Sequence, residues 1–177
     1  IDESFGDQAI VITDFAESLY ETIAAMEFDT SNEANPKIVV GGTANINNQN
    51  KPALARYDKN GRLDATFGNA GLRVIALPQG VAEAAVSDLK VYANGNILIG
   101  GFALSERLGQ IIFLARLRPQ RIMDVTFGVG GFRTYDIPNS AIEGVDALDI
   151  TADGTMDIGG YAMAPNGFIK FALGSFS

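Results

Sequence analysis

Between Ala85 and Tyr92 polar and apolar positions alternate, with Leu89 and Val91 on one face and Asp88, Lys90 and Tyr92 on the other. That is the period of a half-buried strand. Ala93-Asn94-Gly95 follows as a hairpin turn, since Asn and Gly tolerate positive φ. Ile97 to Ala103 is a continuous apolar run suited to burial on both faces, and Gln110 to Leu117 supplies another strand. Ahead of them, Gly71 to Leu77 is apolar and β-branched and stops at Pro78, which has no amide hydrogen for a ladder. Four strands with their turns in about 60 residues describe one propeller blade. Only Asp14 to Ala25 shows helical spacing, through Phe15, Leu19, Ile23 and Met26. The matching stretch further along contains Pro78-Gln79-Gly80, which breaks a helix, so a strand, a loop near Glu17 to Tyr20 and a second strand are expected there, with room for one helical turn between. Met26 and Phe28, and Leu148 and Ile150, fall where Leu89 and Val91 fall, which predicts core positions.

This pattern recurs along the chain, and a fixed period governs the whole reading. Ile1-Asp2-Glu3-Ser4-Phe5-Gly6, Leu63-Asp64-Ala65-Thr66-Phe67-Gly68 and Met123-Asp124-Val125-Thr126-Phe127-Gly128 place their phenylalanines 62 and 60 residues apart. A second marker, an apolar run closing in Gly41-Gly42, Gly100-Gly101 and Gly159-Gly160, is spaced 59 and 59. A third, Ala53-Leu54-Ala55-Arg56-Tyr57 against Phe113-Leu114-Ala115-Arg116-Leu117, is offset by 60 and degenerates to Phe168-Ile169-Lys170-Phe171. The expected organisation is one repeat domain, 1–177, with units of approximately 1–62, 63–122 and 123–177.

An LDxxFG-type motif, a turn such as Ala152-Asp153-Gly154, a run closing in Gly-Gly and then LAR together resemble the delta-60 repeat over nearly the whole chain. The resemblance implies a β-propeller-like fold, of a kind found in tandem arrays in bacterial secreted or surface proteins, and supplies no catalytic residues. Unit one departs from it in a longer connection from Asp29 to Pro36, and unit three lacks a clear LAR. The expected fold class is all-β, three four-stranded antiparallel propeller-type blades, with a closed threefold β-trefoil-like or prism-like body as the alternative.

Composition narrows the chemistry. The 177 residues include no Cys and no His, which excludes thiol nucleophiles, disulfides, Ser-His-Asp triads, imidazole bases, zinc fingers and haem on His or Cys. Against 13 basic residues stand 21 acidic ones, a net charge of -8 that disfavours nucleic acid and anionic membrane. No apolar run approaches a membrane span, and no basic n-region followed by an apolar core appears in these residues. The first residue is Ile1 rather than Met, which predicts sequence upstream. Absence of Cys fits an extracytoplasmic bacterial protein, and many cytosolic chains share it.

The repeated polar element Asp2/Phe5/Gly6, Asp64/Phe67/Gly68 and Asp124/Phe127/Gly128 reads as a structural turn. The Asp accepts amide hydrogens two residues on, the Phe plugs a gap between blades, and the Gly takes positive φ. Arg56 and Arg116 precede Asp64 and Asp124 and are expected to bridge to them or to cap the following turn. The Gly-Gly pairs mark close approach of strands or blades. Gly128-Val129-Gly130-Gly131 lacks a following helix N-terminus, so nucleotide binding is unsupported. No cofactor is expected; calcium is the one metal that the oxygen donors Asp58, Asn60 and Asp64, or Asp153 and Asp157, suggest, and both groups also make ordinary turns. Glu21, Glu83 and Glu143, with Asp14 and Asp136, stand at similar points in their units as a candidate acidic ring, but symmetric residues suit differentiated catalytic roles poorly.

Three blades fall short of the usual four to eight, and an open arc exposes two apolar faces. Three plus three blades from two chains, further repeats, or a closed threefold body would each resolve this. The expected function is a non-enzymatic binding or scaffold module of a secreted or surface assembly, meeting protein or glycan through loops on one face. A self-assembling architectural subunit comes next, and a carboxylate- or calcium-dependent hydrolase last.

Overall fold

The computed structural model describes residues 3–119 and 122–176. Its strands are β1 (Ser18–Asp29), β2 (Lys37–Ile46), β3 (Gln49–Tyr57), β4 (Leu72–Val74), β5 (Val81–Val91), β6 (Ile97–Ser105), β7 (Gly109–Leu117), β8 (Phe132–Tyr135), β9 (Glu143–Ile150), β10 (Met156–Met163) and β11 (Ile169–Phe176). They form three separate sheets, ordered β1-β2-β3-β4, β5-β6-β7-β8 and β9-β10-β11, with every ladder between these strands antiparallel. The fold is all-β and its sheets are propeller-type blades; the third has three strands among the described residues rather than four. No helix occurs among the described residues: the stretch with helical spacing is non-strand chain as far as Glu17 and strand β1 from Ser18.

The sheets are offset by one strand from the sequence repeat. The four strands expected to make one blade within the second unit do not share a sheet: Leu72–Val74 pairs with Ala53–Ala55 of the preceding unit, and Phe132–Tyr135 likewise pairs with Ile112–Ala115. The cause is the Asp-x-Thr-Phe-Gly turn. Asp64 N donates to Arg56 O and Gly71 O accepts from Arg56 N, so the chain is folded back onto the strand it has just left. Soon after the return strand Pro78 is reached, and the next long strand opens a new sheet.

Sheets pack in series, β5 against β1, β2 and β3, and β9 against β5, β6 and β7. Among the described residues no comparable packing joins the first sheet to the third, so the body is an open arc and not the closed threefold alternative. Two apolar clusters fill the two seams. Leu54, Phe67, Ile75, Leu89, Ile99 and Phe113 belong to one. Leu98, Leu114, Phe127, Leu148, Met156 and Ile158 belong to the other.

Glycine pairs set the geometry of both seams. A Cβ on Gly41 would meet Leu89 Cδ2 at 2.6 Å, and one on Gly100 would meet Leu148 Cδ2 at 3.1 Å. The first glycine of the first two pairs therefore leaves a hole that the inner strand of the next sheet fills with leucine. The second glycine faces its own inner strand: at Gly42, Gly101 and Gly160 a Cβ would lie 1.8, 2.0 and 2.0 Å from the carbonyl oxygens of Thr22, Ala85 and Gly144. A register shift occurs at each of these places, and the bulged strand turns its carbonyl toward the glycine.

Met26 and Phe28 correct the core expectation. They occupy the ladder positions of Leu89 and Val91 but are 58% and 56% exposed, because no sheet lies on that side of β1. Leu148 is buried and Ile150 half-buried.

Gly101→Ala should cost about 2–4 kcal/mol, since the added carbon collides with backbone that cannot rotate away. Gly159→Ala, with nothing within 4 Å of its Cβ, should change stability by less than about 0.5 kcal/mol. Urea denaturation of both variants checks the contrast, and equal costs would contradict the assigned roles.

Candidate functional site

Each Asp-x-Thr-Phe-Gly turn in the second and third units is built around a carboxylate. Asp64 Oδ1 accepts Thr66 N at 3.0 Å and Thr66 Oγ1 at 2.7 Å, while Oδ2 accepts Arg56 Nε at 3.0 Å. Asp124 repeats the arrangement with Thr126 N at 3.2 Å, Thr126 Oγ1 at 2.7 Å and Arg116 Nε at 2.8 Å, and Arg118 Nε and Nη2 add donors at 3.2 and 3.1 Å. The arginines also cover the motif phenylalanines, Arg56 at 4.9 Å from the Phe67 centroid and Arg116 at 4.7 Å from that of Phe127. Gly6, Gly68 and Gly128 take φ of 63°, 52° and 57°. Phe5 lies against the Gly61 turn, and Asp2 is outside the described residues.

These contacts shift the carboxyls. The Thr126 hydroxyl, resisted by burial and reinforced by the Thr126 amide, Arg118 and Arg116, holds Asp124 far below the ordinary 3.8. At Asp64 burial pushes upward, and the Thr66 hydroxyl and amide with Arg56 and Lys37 outweigh it, so the net shift is downward.

Unit one adds a feature the others lack. Its longer connection after β1 brings Asp29, Ser31, Asn32, Asn35 and Lys37 around Arg56 and Asp64 in an open polar recess of about 320 Å³. Arg56 Nη1 lies 3.7 Å from Asp29 Oδ2, and Lys37 Nζ lies 3.7 Å from Asp64 Oδ2. In the second unit Tyr92 follows Val91 as Asp29 follows Phe28, and Arg116 lies 6.0 Å from its ring centroid. The recess carries two cations against two carboxylates and presents the amides of Asn32 and Asn35, a set suited to hydrogen-bonding a neutral polar group.

The calcium candidates are dispersed. Asp58 Oδ1 accepts the amides of Asn60 and Arg62, both at 2.9 Å, while Asp64 is engaged with Arg56. Asp153 Oδ1 accepts Thr155 N at 3.1 Å within its turn, whereas Asp157 lies on strand β10 opposite Asp149. Among the described residues no group of three or more acidic, Cys or His side chains is placed to hold a metal.

The acidic ring is not formed by register-equivalent residues. Glu21 and Glu143 stand opposite Ala44 and Ala162, but Ala84 holds that position in the second sheet, and Glu83 lies opposite Leu104. A one-residue displacement along a strand turns the side chain to the other face. Glu21 Oε1 accepts Phe15 N at 3.1 Å and Glu143 Oε1 accepts Ile137 N at 2.9 Å, so these two tie the incoming chain to its sheet. Glu83 Oε2 instead accepts Asn50 Nδ2 at 2.9 Å across the first seam.

Residues the sequence did not single out complete these contacts. Asn50 and Gln110, offset by 60, reach across the two seams, Gln110 Nε2 donating to Glu143 O at 3.1 Å. Their shared offset and amide chemistry were the available signal. Asp29 and Lys37 carried none, since their partners come from β3 and from the turn beyond it.

A family model described as "Domain of unknown function (DUF5122) beta-propeller" matches residues 34–67, which run from the end of the unit-one connection through β2 and β3 to the motif Phe67. No curated protein matches the chain. No helix among the described residues is long and apolar enough to cross a membrane.

Asp124→Asn should lower stability at neutral pH by about 2–3 kcal/mol, because charge-assisted hydrogen bonds to a buried carboxylate are replaced by weaker ones. The folded carboxyl titrates below the unfolded one, so its contribution is complete above about pH 5 and is lost as pH falls through the unfolded value toward the lowered folded one. Denaturation midpoints should show a constant gap between variant and wild type from pH 7 to about 5 that narrows in stronger acid; a gap unchanged down to about pH 2 would contradict the assignment.

Proposed function

We propose that this propeller-type chain works by association rather than turnover, as a non-enzymatic scaffold or binding module of the delta-60 kind in an extracytoplasmic assembly. The observation that carries this reading is that both end sheets present rows of large apolar side chains to solvent. On β1 Ile23 and Met26 are 77% and 58% exposed, and on β11 Phe171 and Leu173 are 106% and 89% exposed. Such side chains on interior blades are buried by the neighbouring sheet, and apolar faces of this kind mark interaction surfaces. The unit-one recess, with its balanced charges and amides, gives the module a loop surface for protein or glycan.

Sedimentation of the wild type at micromolar concentration should show species above the 18.8 kDa chain mass. Ile23→Asp and Phe171→Asp, each placing a charge on one face without touching the core, should return the mass to one chain while leaving the melting temperature nearly unchanged. A wild type that stays at one chain mass throughout would contradict association through these faces.

A further inference from the structure

Taking the chain as a module whose loops meet protein or glycan, we propose that the unit-one recess binds a neutral sugar residue through two neighbouring hydroxyls, an assignment that rests on that reading and names its ligand class. The recess is walled by two units. The connection from Asp29 to Lys37 supplies one side, the turn carrying Asp64 and Thr66 another, and Pro119 of the second unit a third. Ser31 and Pro119 meet beside Gly95, where a Cβ would lie 2.8 Å from Ser31 Oγ and 3.2 Å from Pro119 Cγ. Every wall comes from residues 29–119, in the interior of the described chain.

The charged groups are fixed by contacts within the protein. Asp29, Arg56 and Asp64 are buried. Asp29 Oδ1 accepts Ser31 N at 3.1 Å and Ser31 Oγ at 2.5 Å. Arg56 donates Nε to Asp64 Oδ2 at 3.0 Å and Nη2 to Thr66 Oγ1 at 3.3 Å, and its guanidinium lies on the Phe67 ring. Arg56 Nη1 and Asp29 Oδ2 are left 3.7 Å apart, and Lys37 Nζ stands 3.7 Å from Asp64 Oδ2, both beyond hydrogen-bonding distance. Among the described residues, Arg56 Nη1, Asp29 Oδ2, Lys37 Nζ and the side-chain amides of Asn32 and Asn35 make no hydrogen bond with one another or with the rest of the chain. Donors and acceptors therefore stand side by side in a frame whose buried members are already ordered, which lowers the cost of binding.

Charge balance selects the ligand. An anion drawn to Arg56 and Lys37 would meet the carboxylates of Asp29 and Asp64, and a cation drawn to those carboxylates would meet the guanidinium and the ammonium. A zwitterion would have to displace pairs that are already made. A hydroxyl has no such conflict, because it can accept from Arg56 Nη1 while donating to Asp29 Oδ2. A hydroxyl on the adjoining carbon can accept from Lys37 Nζ and use the Asn32 or Asn35 amide, which offers both a donor and an acceptor. Neighbouring hydroxyls on a rigid ring are what a sugar presents, and about 320 Å³ lies at the small end of ligand pockets, room for one ring. The second unit has no counterpart: its turn at Ala93-Asn94-Gly95 is short, Tyr92 stands at the place of Asp29, and Arg118 donates both Nε and Nη2 to Asp124 Oδ1.

Titrations followed by nuclear magnetic resonance of isotope-labelled protein test the site. The probes are the neutral methyl glycosides of mannose, galactose and glucose, with glucuronate, glucosamine and glycine as anionic, cationic and zwitterionic counterparts. At least one glycoside should move the side-chain amide signals of Asn32 and Asn35 and the Nε–H signal of Arg56, and each charged probe should bind roughly fivefold or more weakly. The double variant Asn32→Ala/Asn35→Ala alters exposed side chains that hold nothing else, so it should keep the melting temperature and weaken glycoside binding by roughly fivefold, read at Arg56. Asp29→Asn keeps an oxygen for Ser31 but leaves two cations against one carboxylate, and should reverse the order so that glucuronate binds more tightly than the glycosides. No response to any of the glycosides up to about 100 mM, a charged probe that binds wild type as tightly as they do, or undiminished binding by the double variant overturns the sugar site. Sedimentation reads the association of the chain separately: association without sugar binding removes this site and leaves the scaffold standing, and sugar binding by a species of one chain mass does the reverse.

Discussion

Each sheet is held to the next by a leucine that occupies the space of a side chain its neighbour lacks. Leu89 over Gly41 and Leu148 over Gly100 bring the inner strand of one sheet close to the second strand of another, and the apolar clusters on either side of β5 and β9 assemble around these contacts. Burying one leucine contributes about 2 kcal/mol. Its larger effect is geometric, because any side chain at the first glycine would push the sheets apart. The second glycine of each pair accommodates the bulge that aims the inner strand, so the pair sets both the spacing and the direction of the seam.

At the other edge of the sheets, the Asp-x-Thr-Phe-Gly turn settles which sheet a strand joins. Asp64 and Asp124 gather the amide and hydroxyl of Thr66 and Thr126 on one oxygen and an arginine on the other. The turn is thereby pinned to the strand just completed, and the chain has to run back along it. Phe67 and Phe127, fully buried, then lie in the seam itself, so the polar pin and the apolar plug are neighbours in one motif. The longer connection of unit one grafts Asp29 and Lys37 onto this arrangement and opens a recess where the second unit has Tyr92.

Much of this was legible in the residues. Alternation at Ala85 to Tyr92 and the apolar run at Ile97 to Ala103 located β5 and β6 within a few residues, because a strand writes its period and its burial directly into the chain. The order of the motifs likewise indicated repeated blades. Met26 and Phe28 were misplaced for the opposite reason: their periodicity is that of core residues, and periodicity says nothing of whether a neighbour is present. The acidic ring failed on register, since Glu83 sits one residue from the ladder position of Glu21 and Glu143, and a bulge hides that displacement from a count of residues.

By itself the sequence determined the all-β class and the order in which its motifs recur, since these depend on local preference and on period. Tertiary structure decided where each sheet begins. The boundary between repeats in the sequence and the boundary between sheets in space differ by one strand, because hydrogen bonds across the turn favour the strand behind over the strand ahead. The same offset places the short return strands β4 and β8 on the sheets behind them, a consequence of long-range pairing that no local pattern carries.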